Sequence, residues 1–469
     1  MVEVSRAVAA SKMDAVDAPS ISEQFAAYWA TASLADMPDA AVKAAKRALL
    51  DTLAAGVAGG REPVVDAVAD GARQATGAGE AVLWGRQDRL GPAGAALVNG
   101  TAAHALELDD FGGCGHSGAV VVPAVCALAD TAQANGQQVL LSVIAGYDIA
   151  SRVLVGSGGY RPHNERGWHS TGTCGTFGAA AASAKLLGFA PHLFVQALGI
   201  AGSFNGGTWA FLADGALTKR FHPGKAAETG VSAALLARSG LTGPSQIFDA
   251  PWGGFYSTYA AGFATPELAT EGLGSDFHIL KSGVKIHACC RTLHAAVDAA
   301  IEIVAGSGRA PEAITRMIVH GNDQTKRQFA RTDVRNLLEA QFSAPYCMAV
   351  AASSGAATLD RFMPLRTDDA EIRRLMALTE IATDRVLASH EYPSLEVHFA
   401  DGYREHKQVR FATGAPEAPV SDDRLTDKAV GLMAPVLGDR VTGRLVDTIL
   451  SLEQVDHFAE VVRLLAPSL

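Results

Sequence analysis

The sequence predicts a mainly α protein: an all-helical main domain built from both chain ends, with a smaller α+β lid domain inserted into it. Three observations carry this. Apolar residues recur at helical spacing through most of 21–275. Near 275 the pattern changes, and short β-branched runs appear at 313–320, 381–386 and 394–399. From Leu425 to Leu465 the helical spacing returns. The expected division is therefore 21–275 with 416–469 for the main domain and 276–415 for the lid, after a flexible extension over 1–20. Length agrees, because 469 residues exceed what one core holds, about 250–300 residues.

Taken in order, Pro38 and Asp39 open a helix whose apolar positions are Val42, Ala45, Leu49, Leu53 and Val57, and Gly59-Gly60 ends it. Pro92 suits the first turn of a helix running toward Glu107. Further helices are expected over 119–134, 138–155, 175–188, 191–202, 224–239 and 266–272. Several are apolar on nearly every side, as helices buried in a bundle are. In the inserted part, 290–306 and 332–355 are expected to be helical. The strand 394–399 is expected to turn at Asp401-Gly402 into a partner near 408–411.

Alanine and the 48 glycines suit closely packed helices, and a net charge of −10 without any basic cluster argues against a nucleic-acid surface. Six irregularly spaced cysteines do not make a secreted disulfide framework. No secretory signal and no uninterrupted apolar run of about 18 residues is apparent, so a soluble, cytoplasmic protein is expected.

Against this acidic background a few cationic and imidazole side chains stand beside small residues. The segment 166–188, RGWHSTGTCGTFGAAAASAKLLG, puts His169 ahead of an Ala/Gly helix, where backbone N–H groups face outward. His116 lies in GCGHSGAVVVPAV, Lys219 and His222 in GALTKRFHPGKAAETG, and Lys285 with Arg291 in KIHACCRTLH. Glu107, Asp109 and Asp110 follow a helix end, where a carboxylate needs a compensating cation or proton. Tyr346, in EAQFSAPY, offers either a phenolic proton or core packing. Together these residues suggest one electropositive pocket for a small anion.

Other chemistries fit less well. His287, Cys289, Cys290 and His294 match no common zinc spacing, and no metal site is expected. The run 115–119, GHSGA, follows a polar loop rather than a buried strand, as a nucleophile elbow would not. Gly156-Ser-Gly-Gly159 follows a helix, which removes a dinucleotide fingerprint. No cysteine triad for an iron–sulfur cluster is present.

These segments together resemble the MmgE/PrpD family, which includes 2-methylcitrate dehydratase, cis-aconitate decarboxylase and iminodisuccinate epimerase. The resemblance runs from LLDTLAAGVAG (49–59) through NGTAAHALELDD, GHSGAV, the His169 segment, LTKRFHPGKAAETG and KIHACCRTLH to EAQFSAPY. It implies a helical main domain with a lid, a homodimer, no cofactor and a small polycarboxylate substrate. Carried over by motif, Glu107, His116, His169, Lys219, Lys285 and Tyr346 are the active-site positions. Phe111 replaces a Thr of the decarboxylase pattern, and Cys290 replaces a His. The expectation is therefore a dehydratase-type lyase acting on a substrate such as 2-methylcitrate. An epimerase, a decarboxylase and an anion-binding protein without turnover are its alternatives. His116 and His169 would form the acid/base pair, because imidazole titrates near working pH. Lys219, Lys285 and Arg291, helped by Asp109, Asp110 and His222, would hold the substrate.

Overall fold

The computed structural model describes residues 18–388 and 391–467. It is mainly helical, with a small mixed sheet confined to residues 314–407. Most of the expected extension, residues 1–17, lies outside the described residues. Ser20, counted in it, instead caps the first helix, α1 (Ile21–Trp29), through a reciprocal box with Glu23.

Next come α2 (Asp39–Gly59), α3 (Pro63–Thr76) and a two-stranded hairpin, β1 (Ala78–Val82) and β2 (Arg89–Leu90), in a stretch expected to be wholly helical. Helix α4 (Pro92–His104) stops three residues short of Glu107, which has a left-handed backbone, φ 54°. Helices α5 (Gly118–Ala127), α6 (Gly136–Gly156), α7 (Gly175–Leu186), α8 (Pro191–Gly202) and α9 (Thr218–Arg238) complete the stack. Helix α9 starts six residues before the expected 224, and this puts Lys219 in its first turn. The expected helix over 266–272 is a short 3-10 turn, Pro266–Ala269.

Small residues set how closely these helices pack. A Cβ on Gly224 would stand 2.1 Å from the Leu97 carbonyl oxygen, and one on Gly100 would stand 2.7 Å from the Gly224 Cα. Only glycines allow α9 to lie this near α4, and that approach brings Lys219 beside His104 and Glu107. Helix α6 is long and apolar enough to cross a membrane, but 94% of its apolar window is buried inside the fold. Within it, Arg152 and Asp148 form a buried ion pair at 2.7 Å.

The sheet has the order β4-β3-β5-β6, where β3 is Ile314–His320, β4 Thr379–Ala382, β5 Ser394–Phe399 and β6 Arg404–Lys407. Only β3 and β4 are parallel, with Met317 opposite Thr379. Helices α10 (His294–Ser307), α11 (Ala344–Ser354) and α12 (Ala370–Ala377) pack on it. Strand β4 ends four residues before the expected 386, because its partner β3 ends at His320. Strand β6 lies at 404–407, not 408–411; Gly402, at φ 86°, makes a tight turn, and the polar edge strand has no apolar signature. The helix expected over 332–355 breaks at Ser343, whose hydroxyl accepts from the Tyr346 N–H and starts α11 anew ahead of Pro345. Helices α13 (Asp422–Leu437) and α14 (Asp439–Leu450), where helical spacing was expected, pack on α2.

Candidate active site

The loop after α4 is the floor of a cavity of about 430 Å³, a size that suits a small organic anion. Gly112, Gly113 and Gly115 all have positive φ, which folds the loop back so that His116 faces inward. Phe111 exchanges two backbone hydrogen bonds with Gly283, at 3.0 and 2.8 Å, and so draws the Lys285 segment against the loop. Glu107, His116, His169, Lys219, Lys285 and Arg291, from five sequence segments, all line the cavity.

The charges on one wall satisfy each other. The Glu107 carboxylate accepts from the Lys219 ammonium on one oxygen and from Lys285, at 3.1 Å, on the other. Burial alone would raise the Glu107 pKa, but the two ammoniums outweigh it and hold the carboxyl well below its ordinary range. Burial also opposes the Lys285 charge, yet Glu107 and Asp109 keep that lysine above the usual lysine value. Lys219 moves the other way: burial pulls it down, Glu107 offsets only part of this, and the Lys285 ammonium adds to the fall.

Asp109 is buried one layer behind. It accepts from Nδ1 of His104, at 2.9 Å, and its Oδ2 lies 3.0 Å from Nδ1 of His116, whose hydrogen bond goes to the Asp110 backbone carbonyl, at 3.0 Å. That leaves the His116 Nε2 with its lone pair toward the cavity. His104, absent from the expected site, bridges Asp109 and Lys219, with its Nε2 2.8 Å from Nζ. Burial pushes its pKa down to about 3, which favours the neutral imidazole. The clue to it was present, since His104 stands in NGTAAHALELDD beside the residues that were singled out.

Opposite His116 lies His169, with ring centroids 6.2 Å apart. The His169 Nδ1 is 2.9 Å from Nδ1 of His222, and the ring edge meets Trp209 at 5.0 Å. Burial, then Lys219 and the neighbouring imidazoles, holds His169 well below the ordinary histidine pKa, so it stays neutral. His222 sits behind His169 and is pushed down to about 4 by burial and Lys219.

The other wall carries Arg291. Its guanidinium stacks 3.9 Å over the Phe111 ring and 5.2 Å from the Tyr392 ring. Its Nε and Nη1 are buried without a hydrogen-bond partner, and among the described residues it makes no ion pair. Arg291 thus lines the cavity without a carboxylate partner among the described residues, unlike the two lysines.

Four expected residues sit elsewhere, His222 behind His169 being one of them. Asp110 faces inward, where both carboxylate oxygens accept from the Gly118 N–H at 3.0 and 3.1 Å, and it does not line the cavity. Asp109 supports the histidines rather than facing the cavity. Tyr346 is fully buried against Phe362, and its hydroxyl accepts from the Arg366 N–H at 3.0 Å, so the structure gives it a packing position. His287 and His294 pack ring against ring at 5.0 Å, with one nitrogen of His287 on Asp298 at 2.7 Å and one of His294 on the Cys289 carbonyl at 3.2 Å. Among the described residues, the cluster with ligand atoms close enough for a cation is His104, Asp109 and His116, within 4.8 Å of one another. There the Lys219 and Lys285 ammoniums already supply the positive charge.

The chain is 28% identical to the cis-aconitate decarboxylase-like protein oryM of Aspergillus oryzae, over 92% of this chain and 95% of that one. It is 26% identical to the cis-aconitate decarboxylase of Aspergillus terreus, over 93% and 94%. The human cis-aconitate decarboxylase matches at 33% over 249 residues, 51% of each chain. The MmgE/PrpD N-terminal domain matches residues 23–267 and the MmgE/PrpD C-terminal domain residues 287–454, so the chain belongs to the MmgE/PrpD family.

Proposed function

We propose that this protein is a lyase of small polycarboxylates that moves a proton at a carbon next to a carboxylate, using its own side chains. The observation that carries the reading is the pair of facing imidazoles, His116 and His169, beside the unpaired fork of Arg291. Arg291 grips one substrate carboxylate in a bidentate manner. His116 exchanges a proton through Nε2, and Asp109 steadies the imidazolium that forms. His169, neutral and 6.2 Å away, serves the opposite face or the leaving group. The Lys219–Glu107–Lys285 triad holds positive charge where electron density builds on the reacting carboxylate.

The reaction we put first is loss of carbon dioxide from a cis-aconitate-like acid, because the full-length relatives bear that name. There the carbon–carboxylate bond breaks, its electron pair stays on the carbon framework, and a histidine supplies a proton to carbon. A second reading is elimination of water from a hydroxylated acid such as 2-methylcitrate. Phe111 and Cys290 favour it, since they replace the Thr and His of the decarboxylase pattern and turn that side of the cavity into a shelf for Arg291. Residues 276–415 would act as a lid over the cavity, and the working form would be a homodimer; a monomer by sedimentation would remove that last point.

The test is proton NMR of the enzyme in D₂O with cis-aconitate, citrate, 2-methylcitrate and iminodisuccinate. New vinyl signals with carbon dioxide release from cis-aconitate support the first reading. Vinyl signals growing from 2-methylcitrate or citrate move the assignment to dehydration. Deuterium entry without any net loss marks an epimerase. No change in any substrate, with ligand-induced stabilisation retained, would leave an anion-binding protein.

A further inference from the structure

Glu107 is held in an unusual way. Apart from Gln133, it is the one non-glycine residue with positive φ among the described residues, and a left-handed glutamate persists only where its surroundings fix it. The carbonyls of both neighbouring residues are bound by side chains from distant parts of the chain, the buried Gln341 and the partly buried Lys428. The Leu106 oxygen accepts from Nε2 of Gln341 at 2.7 Å, and the Leu108 oxygen accepts from Nζ of Lys428 at 2.6 Å. Each donor is itself anchored. Arg220 donates to the Gln341 side-chain oxygen at 3.1 Å, and Lys428 pairs with the buried Asp51 at 2.5 Å. The Gln341 backbone carbonyl also accepts from the Cys290 N–H at 3.0 Å, so one residue ties the Glu107 turn to the strip that carries Arg291. Neither Gln341 nor Lys428 lines the cavity.

We propose that Gln341 and Lys428 are positioning residues, a two-sided clamp that keeps Glu107 left-handed and its carboxylate between Lys219 and Lys285. A carboxylate rotated out of that slot would leave two adjacent buried ammoniums, and the depressed Lys219 would lose the group that keeps it charged. The inference rests on the proposed function only where it calls Glu107 part of a working site.

The test compares Gln341→Leu and Lys428→Met with the full-length parent by amide hydrogen exchange and by the pH dependence of kcat/KM. Exchange in the peptide covering 104–112 should rise at least about tenfold while the rest of the chain keeps its protection. Turnover should fall by about 10- to 100-fold, the cost of a small displacement at a catalytic centre, and the alkaline limb should move to lower pH. Lys428→Arg, which can still reach both Asp51 and the Leu108 carbonyl, should restore both. If Lys428→Met fails to fold because Asp51 is left alone, Asp51→Asn with Lys428→Met removes the orphaned carboxylate and still deletes the bond to Leu108. Unchanged exchange at 104–112 overturns the clamp. A uniform rise across the chain overturns it too, since these residues would then hold the fold rather than the turn. If the parent turns over no substrate, the proposed function fails, and exchange alone still decides the clamp.

Discussion

The two walls of the cavity hold similar charged side chains in opposite states. On the Glu107 wall every charge has a partner: two lysines share one carboxylate, and Asp109 bonds His104, lies 3.0 Å from His116 and approaches Lys285 at 3.6 Å. On the Phe111 wall, Arg291 rests on aromatic rings, and two of its nitrogens have no partner among the described residues. A cation in a pocket is thus not by itself a substrate anchor. What matters is whether the protein has already neutralised it, because only an open valence gains from an incoming carboxylate.

Substitutions on either side test that contrast. The largest effect is expected at His116→Ala, which should cost about 10²–10⁴-fold in kcat with the fold intact; wild-type turnover would remove His116 from the mechanism. Glu107→Gln breaks the self-neutralised wall and leaves two buried ammoniums facing a neutral amide. Denaturant unfolding should show a loss of about 3 kcal/mol, and an unchanged midpoint would mean the lysines are not paired as described. Arg291→Lys keeps a charge but loses the fork and the stacking. It should raise KM by about 10-fold or more with a smaller change in kcat, because an interaction present in ground and transition states is weakened. An equal loss in kcat would place Arg291 at the reacting atoms instead.

Much of this was legible in the chain, and the parts that were not share a cause. Helices such as α2 and α4 announce themselves by spacing and by Pro at their starts, and His116, His169, Lys219, Lys285 and Arg291 stand out as polar groups among small residues. Side-chain partnership leaves no such trace. Nothing near Lys219 in sequence says that it will meet Glu107, 112 positions away, rather than a substrate. Gln341 and Lys428 are ordinary residues in ordinary surroundings until the fold delivers them to Leu106 and Leu108. Tyr346 and Asp110 failed in the opposite direction, since their types suit catalysis while their positions in the fold turn them away from the cavity. The edge strand β6 was displaced for a similar reason: its neighbours Val409 and Phe411 carry the apolar signal that Arg404–Lys407 lack.

Asp110 gives a smaller effect with a definite sign. Burial, with Asp109 and Asp51 nearby, raises its pKa to about 8, against 3.8 for the free side chain. The folded state therefore holds a proton that the unfolded chain has lost between those values. Its stabilising contribution is complete below pH 3.8 and is lost as pH rises toward 8. Asp110→Asn, which still accepts from the Gly118 N–H, removes that slope. Its stability relative to the parent should grow between pH 5 and pH 8, by at most about 1.4 kcal/mol per unit. If the Gly118 N–H and the start of α5 hold the anion instead, the variant will be less stable across the whole range.

The smallest effect is expected where the sequence pattern pointed most directly at chemistry. Tyr346 stands in EAQFSAPY, and its phenol is the kind of group that donates protons in active sites. Yet its oxygen accepts from the Arg366 N–H at 3.0 Å, its ring packs edge-on against Phe362, and no atom of it lines the cavity. Tyr346→Phe keeps the ring and leaves one backbone donor unsatisfied. It should cost about 1 kcal/mol in stability and leave kcat and KM within about twofold of the parent. A large fall in kcat without loss of stability would return the phenol to the reaction, and would require the cavity to extend past Cys290 toward α11 during turnover. The contrast with Gln341, five residues earlier in the same motif, is the sharper point: the residue of the unremarkable type reaches both walls, and the residue of the catalytic type reaches neither.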